Sequence, residues 1–214
     1  HGVRLEPQLI AKSDLVVNNS TLYANYGREH NPHSYMIGQG CDVSMFTECN
    51  TTAADLETIP GPRIGYVGFL SSRRLDIPLL EYIATKRPDW HLVLVGPEDE
   101  VFAASALHQM ANVHFLGPRD PVTLPSYIHG FDICMNPQVV NDATRGNYPR
   151  KIDEYLAMGK PTIATATEAM EYFRDYTYLG STPEEYPELI SKALAENTME
   201  KQAQRRAFAN EHSW

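Results

Sequence analysis

The densest run of chemically capable side chains lies between Asn141 and Pro161, where the sequence reads NDATRGNYPRKIDEYLAMGKP. A polar loop holding Arg145, Gly146 and Asn147 feeds into a helical stretch from about Arg150 to Met158, stopped by Gly159. A helix start carries N–H groups without intrahelical partners and a partial positive charge, which suits a phosphate. Lys151 and Arg145 add cations at the same end. Glu154 follows Lys151 by three residues, so both can share one helix face. A carboxylate there can accept two hydrogen bonds from the paired hydroxyls of a ribose. Adjacent phosphate and ribose contacts describe a nucleotide. A solvated Lys151–Glu154 surface pair is the competing reading of the same spacing.

Three more segments bear on such a site. Ser71-Ser72-Arg73-Arg74 follows an apolar run ending at Gly68, and Arg73 or Arg74 is a second phosphate candidate. Leu116-Gly117-Pro118-Arg119 follows a later run, and its backbone could edge a base. Gly68, Gly96 and Gly117 each end an apolar run, where glycine either admits a ligand close to the backbone or merely makes a tight turn. Other chemistries find no support. No P-loop, G-x-G-x-x-G or G-x-S-x-G occurs, and Pro32 interrupts the His30–His33 pair, so neither a metal site nor a nucleophile is assigned. Asp42 reads as a turn residue.

The elements that must position these groups alternate. Short apolar strands are expected at 15–17, 34–37, 64–67, 92–95, 113–116, 133–135, 162–164 and 176–179. Helices are expected at 20–28, 75–86, 101–110, from Asp120, at 150–158, from the capping box Thr182–Glu185 to 196, and at 199–210. Strands alternating with helices, and apolar without alternation of their own, predict a Rossmann-like, doubly wound parallel α/β sheet buried on both faces. Residues 47–62, rich in Thr, Asn, Asp and Glu and ending Pro60-Gly61-Pro62, read as a linker.

The 214 residues suffice for one domain plus part of another, and a net charge of −9 argues against a nucleic-acid partner. Three cysteines without C-x-x-C spacing argue against a disulfide framework and for a reducing, cytoplasmic setting. No apolar run is long enough for a membrane span, which leaves peripheral contact at the inner membrane face as the expected membrane association.

Taken in order, several segments resemble the retaining GT-B glycosyltransferases of the family-4 group. They are Asp14-Leu-Val-Val-Asn-Asn-Ser20, Ile37-Gly-Gln-Gly-Cys-Asp-Val43 with Phe46, Ile64-Gly-Tyr-Val-Gly68, Val113-His-Phe-Leu-Gly117 and Lys151-Ile-Asp-Glu-Tyr-Leu-Ala-Met-Gly-Lys-Pro161. The resemblance implies residues 1–46 as a remnant of the acceptor domain, 47–62 as the linker and 63–214 as the nucleotide-sugar-binding domain. It implies a hexosyltransferase of cell-surface polysaccharide or glycoconjugate synthesis, working with retention and needing neither cofactor nor metal. Its partners are a nucleotide-diphosphate sugar and a sugar or lipid-linked acceptor. Glu154 matches the ribose-holding Glu of the family's E-x7-E motif. Gly146 stands where the family often has the first Glu, and Phe69 where many members have Arg, which leaves the diphosphate to Arg73 or Arg74. The donor site implied is Glu154, Lys151, Arg145, Asn147, Arg73, Arg74, Gly68, Gly117 and Arg119. A GT-B-type nucleotide-sugar epimerase and a non-catalytic binding module are the alternatives, and this chain alone is expected to bind nucleotide weakly without transferring sugar.

Overall fold

The structure, a computed structural model, describes residues 2–47, 49–141, 144 and 146–211. The chain opens with α1 (Gly2–Lys12), β1 (Val16–Asn18), α2 (Thr21–Arg28) and β2 (Ser34–Met36). Ser20 starts α2 by accepting the Tyr23 N–H at 3.4 Å. β1 and β2 pair in parallel, with Val17 opposite Tyr35. A one-turn helix, α3 (Ser44–Thr47), leads into the polar stretch.

Part of that stretch packs against the domain that follows. Leu56 is fully buried and Ile59 nearly so, and a 3-10 turn forms at Ala54–Leu56. The Ala53 N–H donates to Ser126 O, and Arg63 Nε to Ile59 O at 2.7 Å. Two apolar residues three apart provide the surface that docks an otherwise polar segment.

Then follow β3 (Arg63–Val67), α4 (Ile77–Lys86), β4 (His91–Val95), α5 (Glu100–Ala103), β5 (Val113–Gly117), α6 (Leu124–Gly130), β6 (Ile133–Asn136), α7 (Lys151–Ala157), β7 (Thr162–Thr165), β8 (Tyr178–Gly180), α8 (Tyr186–Ala195) and α9 (Met199–Asn210). The six strands form one parallel sheet in the order β5-β4-β3-β6-β7-β8. This is the doubly wound α/β arrangement that the strand–helix alternation predicts. The sheet separates two apolar clusters, and β4 feeds both: Leu92 and Leu94 pack into one, Val93 and Val95 into the other.

The helix expected over 101–110 is broken. α5 ends at Ala103 and a 3-10 turn follows at Ala106–Gln109. Phe102 and Leu107 are both fully buried, and five residues of one α-helix would point them about 140° apart. Breaking the helix lets both face the core, and Ser105 Oγ closes α5 on the Phe102 carbonyl at 2.7 Å. Four elements have no counterpart in the sequence reading: α1, α3, the 3-10 turn at Ala54–Leu56, and a 3-10 helix at Glu168–Phe173 that buries Met170 and Phe173. The capping box holds: the Glu185 carboxylate accepts the Ser181 and Thr182 N–H groups. Cys41, Cys49 and Cys134 are free thiols. Among the described residues no helix is long and apolar enough to cross a membrane.

Candidate functional site

The strand order reverses at β3. The chain runs outward through β4 to β5, then returns to place β6 on the other side of β3. Loops leaving neighbouring strands in opposite directions open a crevice at such a point. Here it is a cleft of about 430 Å³, lined from the β3 side by Gly68, Phe69 and Arg74 and from the β6 side by Asn136 and Gln138. Asn147, Tyr148 and the first turn of α7 close it, and Gln39 reaches in from the connector after β2. Backbone bonds tie the two rim loops together: Asp76 N–H to Pro137 O at 2.9 Å and Val139 N–H to Arg74 O at 2.8 Å.

The sequence of α7 decides what faces the cleft. Ile152, Tyr155 and Leu156, at i, i+3 and i+4, are fully buried. Tyr155 also pins the helix to the end of β3, its phenol oxygen accepting the buried Val67 N–H at 3.1 Å. Lys151 and Glu154 are left on the cleft side. Lys151 Nζ donates to Tyr66 Oη at 3.1 Å and sits 4.7 Å from that ring's centre; Tyr66 in turn donates to Phe69 O at 3.4 Å. Glu154 pairs with Arg150 one turn earlier, Nε to Oε1 3.3 Å. Lys151 and Glu154 therefore do not form the surface pair that their spacing also allowed. Gly68, at φ +140°, makes room for this arrangement: a Cβ there would stand 3.3 Å from Lys151 Nζ and 3.1 Å from Tyr66 Oη.

The helix start contributes less field than the sequence suggests. α7 has seven residues, and its leading N–H groups are already engaged in tight turns, Ile152 to Pro149 O at 2.8 Å and Asp153 to Arg150 O at 3.0 Å. Positive charge in the cleft thus rests on side chains, Lys151, Arg74 and Arg150. Behind the cleft, Asp153 is fully buried and accepts from Tyr148 Oη at 2.9 Å. Burial pushes its carboxyl up to about 7 and the Glu154 charge adds to this, while the Tyr148 bond holds it down.

Five of the residues singled out from sequence meet in this cleft: Gly68, Arg74, Asn147, Lys151 and Glu154. Arg145 lies outside the described residues. Arg73 is exposed and off the cleft lining, its carbonyl accepting from Asn141 Nδ2. Gly117, at φ +69°, ends β5 away from the lining. Arg119 is turned elsewhere: its guanidinium binds Asp55 Oδ2 at 2.9 Å and Tyr127 Oη at 2.6 Å, fastening the 53–56 turn to α6. Tyr66, Arg150 and Gln39 were not singled out as site residues. The i, i+4 spacing of Arg150 and Glu154 was a readable signal, whereas Gln39 enters only through the packing of the two segments.

That packing explains Gly146. A methyl group there would overlap the end of Leu22 and stand 3.2 Å from its Cβ and Cγ, so glycine lets α2 close on the loop before α7. A glutamate at this position would have to displace the Leu22 side chain.

The family described as glycosyl transferases group 1 matches residues 61–196. A Bacillus subtilis (strain 168) protein named as a teichuronic acid biosynthesis glycosyltransferase, TuaH, is 27% identical over 190 residues, 84% of this chain and 47% of its own. The chain spans about half the length of that curated relative. Among solved structures, Anabaena HepE in complex with UDP and glucose aligns with 99% of this chain and 62% of its own at TM-score 0.79 and 18% identity. Thermosynechococcus elongatus sucrose-phosphate synthase aligns with 99% of this chain and 57% of its own at 0.78 and 19%. The C-terminal domain of a group 1 glycosyl transferase, LpcC of Francisella tularensis, aligns with 80% of this chain and 95% of its own at 0.57 and 17%. At these identities the structural likeness is one of fold.

Proposed function

Because the chain belongs to the glycosyl transferases group 1 family, we propose that its six-stranded domain is the donor side of a retaining glycosyltransferase that uses a nucleoside diphosphate sugar. One observation carries this reading: Lys151, held over Gly68 at the end of β3, and Glu154 face the same cleft at the reversal of strand order. Lys151 and Arg74 meet the diphosphate, and Glu154 accepts from the ribose hydroxyls. In transfer the bond from the anomeric carbon to the diphosphate oxygen breaks, and a bond to the acceptor oxygen forms. The acceptor's proton passes to the departing phosphate. Negative charge grows on that leaving group, and preorganised cations stabilise it most where water is scarce. No step requires a protein nucleophile or a metal ion.

Residues 63–214 form the donor domain in this proposal, and 1–46 belong to the acceptor side. The name of the Bacillus relative supports cell-surface polysaccharide assembly as the setting, and the UDP complex of the Anabaena neighbour makes UDP the first nucleotide to try. Calorimetric titration of UDP, GDP and ADP into this chain tests the proposal. One of the three should bind and uridine alone should bind far more weakly; no binding by any diphosphate would sink it.

A further inference from the structure

Along β6, Ile133 and Met135 pack into one apolar cluster and Cys134 into the other. Alternation therefore turns Asn136, the last residue of the strand, to the Cys134 side, where Tyr148 and Ile152 also pack. Asn136 is only 5% exposed, and it lines the donor cleft. Its carboxamide makes no hydrogen bond to any described residue. Neither of its polar atoms is sealed in the core, so both open on the cleft. A buried polar side chain that the protein itself leaves unpaired calls for a partner from outside.

Two further carboxamides stand in the same lining. Gln138 follows Asn136 past a turn closed by its own N–H on Asn136 O at 3.0 Å. Its Nε2 donates to Thr144 O at 2.7 Å, which fixes the amide's orientation and leaves Oε1 as an acceptor for the cleft. Gln39 accepts from Asn19 Nδ2 through Oε1 at 3.4 Å and keeps Nε2 as a donor.

These three side chains are uncharged and offer donors and acceptors together. Phosphate oxygens at full charge only accept, and Asn136 Oδ1 and Gln138 Oε1 would face them as repelling dipoles. Hydroxyl groups donate and accept, so a polyhydroxylated ring suits both kinds. Position agrees with chemistry. The Asp76–Pro137 and Val139–Arg74 backbone bonds set residues 136–138 beside Arg74, a cation of the proposed diphosphate site. Gln39 comes from the segment assigned to the acceptor side. A sugar carried on the far phosphate must lie between the diphosphate and the acceptor. Gly146, in the loop before α7, has no side chain to offer it, and Leu22 fills the space beside that glycine.

We propose that Asn136 is a specificity-determining residue: its carboxamide, with Gln138 Oε1 two residues along, binds hydroxyls of the sugar ring that the donor carries. The assignment deepens the donor reading of the cleft and rests on it.

Calorimetry on the whole chain tests it with UDP-glucose, UDP-galactose, GDP-mannose and ADP-glucose, each measured against its own nucleoside diphosphate. Asn136→Leu keeps the volume and removes the amide. It should weaken a nucleotide sugar on the order of tenfold, the loss of one donated and one accepted hydrogen bond, and leave the parent diphosphate unchanged. Asn136→Ala should move the same ratio, which separates loss of the amide from obstruction by the leucine. Without ligand, Asn136→Leu should melt no lower than wild type, because the amide bonds nothing in the fold. A lower melting temperature would make Asn136 a structural residue and overturn the proposal. Equal losses for sugar and diphosphate, or ratios that neither variant moves, would overturn it while the donor reading stands. Failure of every diphosphate to bind would sink the donor reading and this assignment with it.

Discussion

Replacing Lys151 by methionine separates the phosphate role from the scaffold role of this side chain. Met keeps an unbranched apolar stem over Tyr66 and removes the charge and the 3.1 Å bond to the phenol oxygen. Losing the cation–π contact, 4.7 Å to the ring centre, should cost the free protein only about 0.5–1 kcal/mol. The ligand should feel more. A hydrogen bond to a charged group is worth roughly 1.5–3 kcal/mol, so UDP affinity should fall roughly 10- to 150-fold. Uridine has no phosphate and should bind both proteins alike. Calorimetry with UDP and uridine against wild type and Lys151→Met reads both arms. An equal loss for uridine would mean that the substitution deformed the cleft, and undiminished UDP binding would remove Lys151 from the phosphate site.

Glu154→Gln should cost UDP roughly 1–3 kcal/mol and cost 2′,3′-dideoxy-UDP nothing; equal losses for the two ligands would take the ribose away from Glu154. Tyr155→Phe strands the buried Val67 N–H, which should destabilise the fold by about 1–3 kcal/mol and lower the melting temperature by several degrees; an unchanged melting curve would mean α7 is not pinned there. Asp153 has its carboxyl pushed up to about 7 from an ordinary 3.8, so between these values the folded chain holds a proton that the unfolded chain releases. Its contribution is present below about pH 4 and lost as pH rises through 7, by an amount on the order of 3–4 kcal/mol. Asp153→Asn, still able to accept from Tyr148, should therefore melt higher than wild type at pH 8 and close to it at pH 4.5, and a constant difference would contradict the assignment.

The parallel sheet was legible because its signals are local. Runs such as Leu92–Val95 are apolar at every position, are too short for a helix of ordinary length, and fit a strand buried on both faces. The cleft face of α7 was legible for the same reason: Ile152, Tyr155 and Leu156 are spaced to bury one side, and Lys151 and Glu154 remain on the other. What local pattern could not carry was choice of partner. Arg119 was named for the donor site, and the fold sets its guanidinium beside Asp55, 64 positions earlier. The polar stretch 47–62 read as a linker, and nothing local in it shows that Leu56 and Ile59 join a core built by residues far along the sequence. Gly146 read as a missing carboxylate, and only the approach of Leu22 from α2 gives it a steric reason. Spacing along a chain fixes which side chains share a face, whereas charge pairing and cavity shape depend on surfaces brought together by the packing of the whole, and the sequence carries no local record of those.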